Sequence, residues 1–200
     1  MTFYAMREKF NSISIKLGML FSKIPLTPNQ WTVFALIPAF IAFYFLTKQD
    51  FLIAALFFAF SALIDWIDGS VARVTGRTSL FGAYLDTIID RYVEGLIVLG
   101  LLFASLPEFI LPAYFWIIFY FFGSLMSTYV KAAAKEKEFV EKEIKGGIVE
   151  RAEKLIVLFI GILLAAIQPI YLVYVLALLG ILANITAFQR ILIARKLGKR

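Results

Sequence analysis

Four aspartates stand in two pairs, Asp65 with Asp68 and Asp86 with Asp90. Spacings of i,i+3 and i,i+4 put each pair on one face of a helix. Small and basic residues are interleaved with them. The first string is Asp65-Trp-Ile-Asp68-Gly69-Ser-Val-Ala72-Arg73, and the second is Gly82-Ala-Tyr-Leu-Asp86-Thr-Ile-Ile-Asp90. The chain contains no Cys and no His, which removes disulfides, thiolate catalysis, zinc sites and histidine general bases. Any metal must then sit on oxygen ligands, which suits Mg²⁺, Mn²⁺ or Ca²⁺. Clustered carboxylates favour Mg²⁺ or Mn²⁺ bridging substrate phosphates. Gly69, Ala72 and Gly82 are small where a bulky ligand needs close approach to the backbone. Arg73 and Arg77 offer guanidinium groups for phosphate.

Composition dictates the elements that carry these residues. Of the 200 residues 62% are hydrophobic, with a mean hydropathy of +0.86. A soluble domain is about 45–50% apolar, so a water-soluble fold is excluded. Six apolar stretches, each near the ~20 residues that span a hydrocarbon core, follow one another. They are Trp31–Thr47, Phe51–Arg73, Leu80–Leu106, Phe109–Val130, Ala152–Ile167 and Ile170–Ile193. Lys48-Gln49-Asp50, Pro107-Glu108 and Gln168-Pro169 make tight turns between them. The expected fold is an all-α integral membrane protein with six transmembrane helices over residues 30–195, in a single domain spanning 1–200.

Charge sets the expected topology. If the helices alternate in direction, every Lys and Arg except Lys48 falls on one side of the membrane. The positive-inside rule makes that side cytoplasmic, with both termini, both larger connections and the aspartates. The net charge of +6 suits an anionic membrane surface or a phosphorylated substrate, with no basic stripe for nucleic acid. Residues 1–25 lack the uninterrupted apolar core and cleavage site of a signal peptide. Phe3, Met6, Phe10, Ile13, Leu17 and Leu20 recur at steps of three and four, with Arg7, Lys9 and Lys16 largely off that stripe. This predicts an N-terminal amphipathic helix in the cytoplasmic interface, packed on the bundle or lying in lipid. The hydrophilic Lys131–Arg151 connection is expected to be mostly a helix extending into the cytoplasm, then a turn at Gly146-Gly147.

An antiparallel hairpin of the second and third helices brings all four aspartates to one pocket near the membrane surface. One Asp at a helix centre costs about 2.5–3.5 kcal/mol on translocon scales. Four require neutralisation, and one or two divalent ions supply it. Ion pairing with Arg73, Arg77 and Arg91 is the alternative, but three arginines do not balance four acids. A cation transporter is a further alternative, since acids within helices often mark ion pathways. Such sites lie near the midplane of repeated halves, whereas these acids sit towards one end and no repeat is visible.

The pattern Asp-x2-Asp-Gly-x2-Ala-Arg-x8-Gly-x3-Asp-x3-Asp resembles the signature of the CDP-alcohol phosphotransferases, integral membrane enzymes of phospholipid synthesis. The resemblance covers the six-helix layout as well. It implies that Asp65, Asp68, Asp86 and Asp90 hold metal, two Mg²⁺ or Mn²⁺ ions, with Asp90 as the general base. It implies a CDP-lipid donor held by Asp65, Asp68, Gly69, Ala72, Arg73 and Gly82, and a homodimer.

Two further segments resemble the branch that transfers to inositol phosphate: Ser127-Thr-Tyr-Val-Lys131-Ala, and Gly146-Gly-Ile-Val-Glu-Arg151-Ala-Glu-Lys154, with Gln189-Arg190 near the C-terminus. On that resemblance Thr128, Lys131, Arg151 and Arg190 form an acceptor-phosphate cluster facing the metal site. Ala133, Ala152 and Lys154 depart from the branch's pattern. The same cations also suit plain membrane boundaries. Glycerol phosphate as acceptor, or CDP-inositol as donor, stays open.

Overall fold

The computed structural model of the chain describes residues 3–141, 144 and 146–198, with side chains from residue 12 onward. Every regular element among them is a helix. The chain divides into two compact units, one of residues up to Tyr44 with Leu56–Ile97, the other of Phe45–Ala55 with Val98 onward.

The first unit draws on α1 (Phe3–Phe21), α2 (Pro28–Phe34), α3 (Leu36–Thr47), α4 (Phe51–Val74) and α5 (Leu80–Phe103). A capping box opens α2: Thr27 Oγ1 accepts from the Gln30 N–H at 3.3 Å, and Gln30 Oε1 accepts from the Thr27 N–H at 2.8 Å. Pro28 in the first turn is tolerated because its missing N–H has no helical partner there. The first apolar stretch is interrupted at Ala35. Pro38 explains this, since its ring collides with the carbonyl four residues back and leaves it unbonded. Ser61 Oγ, from α4, donates to the Ala35 carbonyl at 2.9 Å beside the break. Trp31, Ile67 and Val71 form the core, with Phe21, Leu26 and Ile64 packed on it. The Phe21 ring meets Trp31 edge-on at 5.6 Å.

The amphipathic stripe of α1 falls only partly within the described side chains; Phe3, Met6, Arg7, Lys9 and Phe10 lie outside them. Of the remainder, Ile13 and Leu20 are exposed and Leu17 is half-buried, while Ser14 and Gly18 are buried. The helix packs through its small residues Ser14 and Gly18, while Ile13 and Leu20 of the stripe point away from the unit.

The second unit contains α6 (Ala113–Glu136), α7 (Arg151–Ala165) and α8 (Pro169–Leu197), with α8 packed against both others. Small residues permit the close approach. A Cβ on Gly123 would stand 2.9 Å from the Asn184 backbone nitrogen, and one on Gly180 would stand 2.8 Å from the Phe119 ring. Asn184 Nδ2 bridges that seam, donating to the carbonyls of Phe119 at 3.0 Å and Gly180 at 2.8 Å.

The Lys131–Arg151 connection corrects an expectation. Its helix stops at Glu136, and none of its described residues from Lys137 to Glu150 is helical. Glu138 takes φ +52, and the Phe139 N–H bonds to the Ala134 carbonyl at 2.9 Å. The chain turns because Val140 and Ile144 bury against Ala134 and Ala194. Their hydrophobicity outweighs the solvated look of the Lys/Glu run.

Among the described residues four helical segments are long and apolar enough to cross a membrane: Pro28–Thr47, Phe51–Val74, Ala113–Glu136 and Pro169–Leu197. The other two expected spans are helices of different character. α5 carries Asp86, Asp90, Arg91 and Glu94, and α7 has 15 residues, roughly 22 Å at 1.5 Å per residue. The protein is a multi-pass membrane protein by these helices.

Gly123→Ala is expected to push α6 off α8 and cost about 1–3 kcal/mol, the usual range for overpacking. Tryptophan-fluorescence melting in detergent would show the lower midpoint; an unchanged midpoint would mean the seam relaxes freely.

Candidate active site

The last turns of α4 and the first turns of α5 carry the aspartates, joined by a short connection. Gly76 takes φ +65 there, a conformation glycine adopts without steric cost. Ser79 then caps α5, its Oγ accepting from the Gly82 N–H at 2.9 Å. The hairpin brings oxygens of Asp65, Asp86 and Asp90 within 4.8 Å of one another. Asp65 and Asp86 are half-buried, and Asp90 is buried.

Asp68 stands outside that trio, one helical turn beyond Asp65. It is buried, and its Oδ2 has no hydrogen-bond partner among the described residues. Thr32 Oγ1 lies within reach of both the Asp68 carboxylate and the Pro28 carbonyl, 3.1 Å away. Asp68 also lines an open cleft together with Gly69, Ala72, Arg73, Gly82 and Asp86. Asp86 thus belongs to both the trio and the cleft, so the sequence-derived metal and donor residues gather in one place.

The residues fit a divalent cation. Their donor set is all carboxylate oxygen, which hard cations prefer. An orphaned, buried carboxylate oxygen on Asp68 is costly without a cation or donor. Arg91 pairs with Glu94 at 2.9 Å, Arg73 Nη2 donates to Ser14 at 2.8 Å, and Arg77 lines the cleft with Asp68 and Asp86.

The cleft also includes Pro28, Asn29, Thr32 and Ser79, which sequence reasoning missed. The Thr27–Gln30 capping signature was the available signal that a helix begins there and turns its first residues to one place. A Cβ on Gly69 would stand 3.3 Å from Arg73 Nη1, so a side chain there would press on the guanidinium.

In the second unit, two of the four expected acceptor residues, Lys131 and Arg190, meet at an acid that sequence reasoning left unassigned. Glu150 Oε2 lies 2.9 Å from Arg190 Nη2 and 3.9 Å from Lys131 Nζ. Arg190 is only 3% exposed. Its Nη1 also donates to the Ser127 carbonyl at 2.6 Å and its Nε to the Gly146 carbonyl at 2.9 Å. Arg190 therefore clamps the segment before α7 onto α6 and α8. Gly146 and Gly147 take φ +109 and +120, so only glycine fits this clamped path easily. Thr128 Oγ1 reaches the Ser124 carbonyl at 3.5 Å. Arg151 is half-buried at the first position of α7.

Lys154, one turn into α7, is fully buried and donates to Ser124 Oγ at 2.8 Å and Ser127 Oγ at 2.9 Å. Its burial against the Ser124-x-x-Ser127 face of α6 is what the sequence pattern around Lys154 did not state.

The family model described as CDP-alcohol phosphatidyltransferase matches residues 25–191. The chain is 31% identical over 193 residues to the archaetidylinositol phosphate synthase of Pyrococcus horikoshii, covering 95% of each. It is also similar to the crystal structure of Mycobacterium tuberculosis phosphatidylinositol phosphate synthase with CDP-DAG bound. That similarity has a TM-score of 0.81 and 25% identity, over 92% of this chain and 94% of that one. A second structure of the same protein, in complex with manganese and citrate, gives a TM-score of 0.81 and 25% identity over 91% and 88%.

Asp65→Asn and Asp86→Asn are each expected to weaken Mn²⁺ binding by about tenfold or more, the equivalent of ~1.4 kcal/mol. Paramagnetic resonance of free Mn²⁺ would measure it, and unaltered titrations would dissociate the trio from metal. Arg190→Met is expected to speed amide exchange at Ile148 and Val149 by an order of magnitude or so as the clamp opens. Exchange at the native rate would assign the hold to other contacts.

Proposed function

The chain belongs to the CDP-alcohol phosphatidyltransferase family, and on that premise we propose that it transfers the phosphatidyl-type group of a CDP-lipid to inositol phosphate, releasing CMP. It is an enzyme, a phosphotransferase. The observation that carries the reading is the convergence of Asp65, Asp86 and Asp90 within 4.8 Å beside the cleft lined by Asp68, Gly69, Ala72, Arg73 and Gly82.

Asp65, Asp68, Asp86 and Asp90 would hold two divalent ions, Mg²⁺ or Mn²⁺. Bound there, the metal supplies charge neutralisation at the donor pyrophosphate and at the leaving oxygen. The protein's own groups do the rest. Gly69, Ala72 and Gly82 leave room for the cytidine diphosphate backbone, and Arg73 directs guanidinium donors to its phosphates. Asp90 takes the proton of the acceptor hydroxyl. The acceptor oxygen forms a bond to the lipid-bearing β-phosphorus. The bond from that phosphorus to the bridging oxygen breaks, and CMP leaves with the electron pair.

Thr128, Lys131, Arg151 and Arg190 are read as binding the acceptor's phosphate. The Glu150 carboxylate supports this, because its Oε2 already places an anionic oxygen near both Lys131 and Arg190. Phosphate and carboxylate share the geometry that guanidinium recognises. The names of the relatives, inositol phosphate lipid synthases, point to the same acceptor. The six helices are read as six spans of one domain over 1–200, with 1–25 at the interface, and with both termini and the aspartates on the cytoplasmic side. A homodimer is part of this reading.

CMP release by the purified protein with Mg²⁺ and a CDP-lipid is the test, with inositol phosphate, glycerol phosphate, serine and inositol in parallel. Turnover with inositol phosphate alone is expected. Turnover with glycerol phosphate, or only with CDP-inositol as donor, would keep the chemistry and replace the substrate. Asp90→Asn is expected to reduce transfer at least about 100-fold, as loss of a general base does, while CDP still binds. Wild-type turnover by this variant would refute the base assignment.

A further inference from the structure

The Arg73 guanidinium is held from outside the aspartate motif. Its Nη2 donates to Ser14 Oγ at 2.8 Å and to Ser70 Oγ at 3.3 Å. The two hydroxyl oxygens are 2.7 Å apart, and Ser70 donates to the Trp66 carbonyl at 2.8 Å. Because the Ser70 proton is committed to Trp66, Ser14 must be the donor between the two hydroxyls. Its lone pairs then remain to accept from Arg73. Protons therefore run one way, from Arg73 through Ser14 and Ser70 to the Trp66 carbonyl. Ser14 is 6% exposed and Ser70 0%, so water competes little for the bond between the two hydroxyls, while the Arg73 side chain reaches out to solvent.

Ser14 reaches this position because α1 lies against the backbone of α4. A Cβ on Gly18 would stand 2.6 Å from the Ser70 carbonyl oxygen, a separation only glycine allows. Arg73 uses only one of its nitrogens in this contact. Its Nε and Nη1 make no hydrogen bond among the described residues, and Arg73 lines the cleft with Asp68, Gly69 and Asp86. An exposed arginine has about 2 kcal/mol of rotamer entropy to lose on binding an anion. A fork already fixed at one nitrogen loses less of it.

We propose that Ser14 is a positioning residue for the nucleotide-diphosphate site: it fixes the Arg73 fork so that Nε and Nη1 stay available to the donor's phosphates. The proposal rests on the donor-site reading above. It assigns α1 a second role beyond contact with the membrane, since the helix also supplies the bond that pre-organises Arg73.

The test is CDP binding by the full-length protein in detergent with Mg²⁺, read by calorimetry, beside Mn²⁺ binding read by paramagnetic resonance. Ser14→Ala is expected to raise the CDP dissociation constant about three- to tenfold and to leave Mn²⁺ affinity unchanged. Ser14→Thr, which keeps the hydroxyl, is expected to bind CDP as the native protein does. Gly18→Ala, which lifts α1 from α4, is expected to follow Ser14→Ala. Arg73→Ala is expected to weaken CDP further, and adding Ser14→Ala to it is expected to change nothing more. Unchanged CDP affinity in Ser14→Ala would overturn the proposal. So would an equal loss in the Arg73→Ala background, or a parallel loss of Mn²⁺ affinity. A native protein that binds no CDP would instead overturn the donor-site reading itself.

Discussion

Carboxylates on neighbouring turns of two helices repel one another and resist leaving water, and the first unit is organised around that cost. Asp68 and Asp90 are buried, and one oxygen of Asp68 lacks a partner among the described residues. Such a group is expensive unless something cationic or donating meets it. Of the nearby arginines, Arg73 donates to two serine hydroxyls and Arg91 pairs with Glu94. The carboxylates thus concentrate negative charge of a kind that suits a cation, and the surrounding elements fix their place. The Thr27–Gln30 box, the Ser79 cap and the Gly76 turn each fix where a helix begins or ends around the cleft.

The second unit has the opposite charge and the same logic. Lys131 and Arg190 converge on one oxygen of Glu150, so a basic cluster is held together by an internal anion. Arg190 meanwhile ties three separate backbone or side-chain groups to α8. Lys154 is buried with two serine hydroxyls as partners. A buried ammonium retained in this way fixes the register of α7 on α6, since only one arrangement offers both hydroxyls.

Much of this was legible beforehand. The spacing of the four aspartates defined both their helix faces and their hairpin, because a period of 3.6 and a short connection leave few alternatives. All six apolar stretches fold as helices, the first broken at Ala35 ahead of Pro38 and others with ends shifted by turn chemistry at Pro112 and Glu138. What escaped was of two kinds. Long-range polar partners such as Ser14, Thr32 and Glu150 have no local signature, since nothing in a helix's own pattern states what the next helix presents. The Lys137–Glu150 path was misread because a run of charge hid two buried residues, Val140 and Ile144.

In α1 the described residues Ile13 and Leu20 of the apolar stripe point away from its packing face. In a soluble protein an apolar stripe marks the side turned to the core. Beside lipid that inference fails, because hydrocarbon accepts Ile13 and Leu20 as readily as a protein interior does. Helices there associate through close backbone approach and satisfied polar groups. Ser14 and Gly18 are the residues that show this: both are buried, while Ile13 and Leu20 are exposed. Small and hydroxylated residues four apart on the polar side of such a helix therefore carry the packing information that apolar residues carry in water. In this chain they lead directly to the guanidinium at the edge of the acidic site.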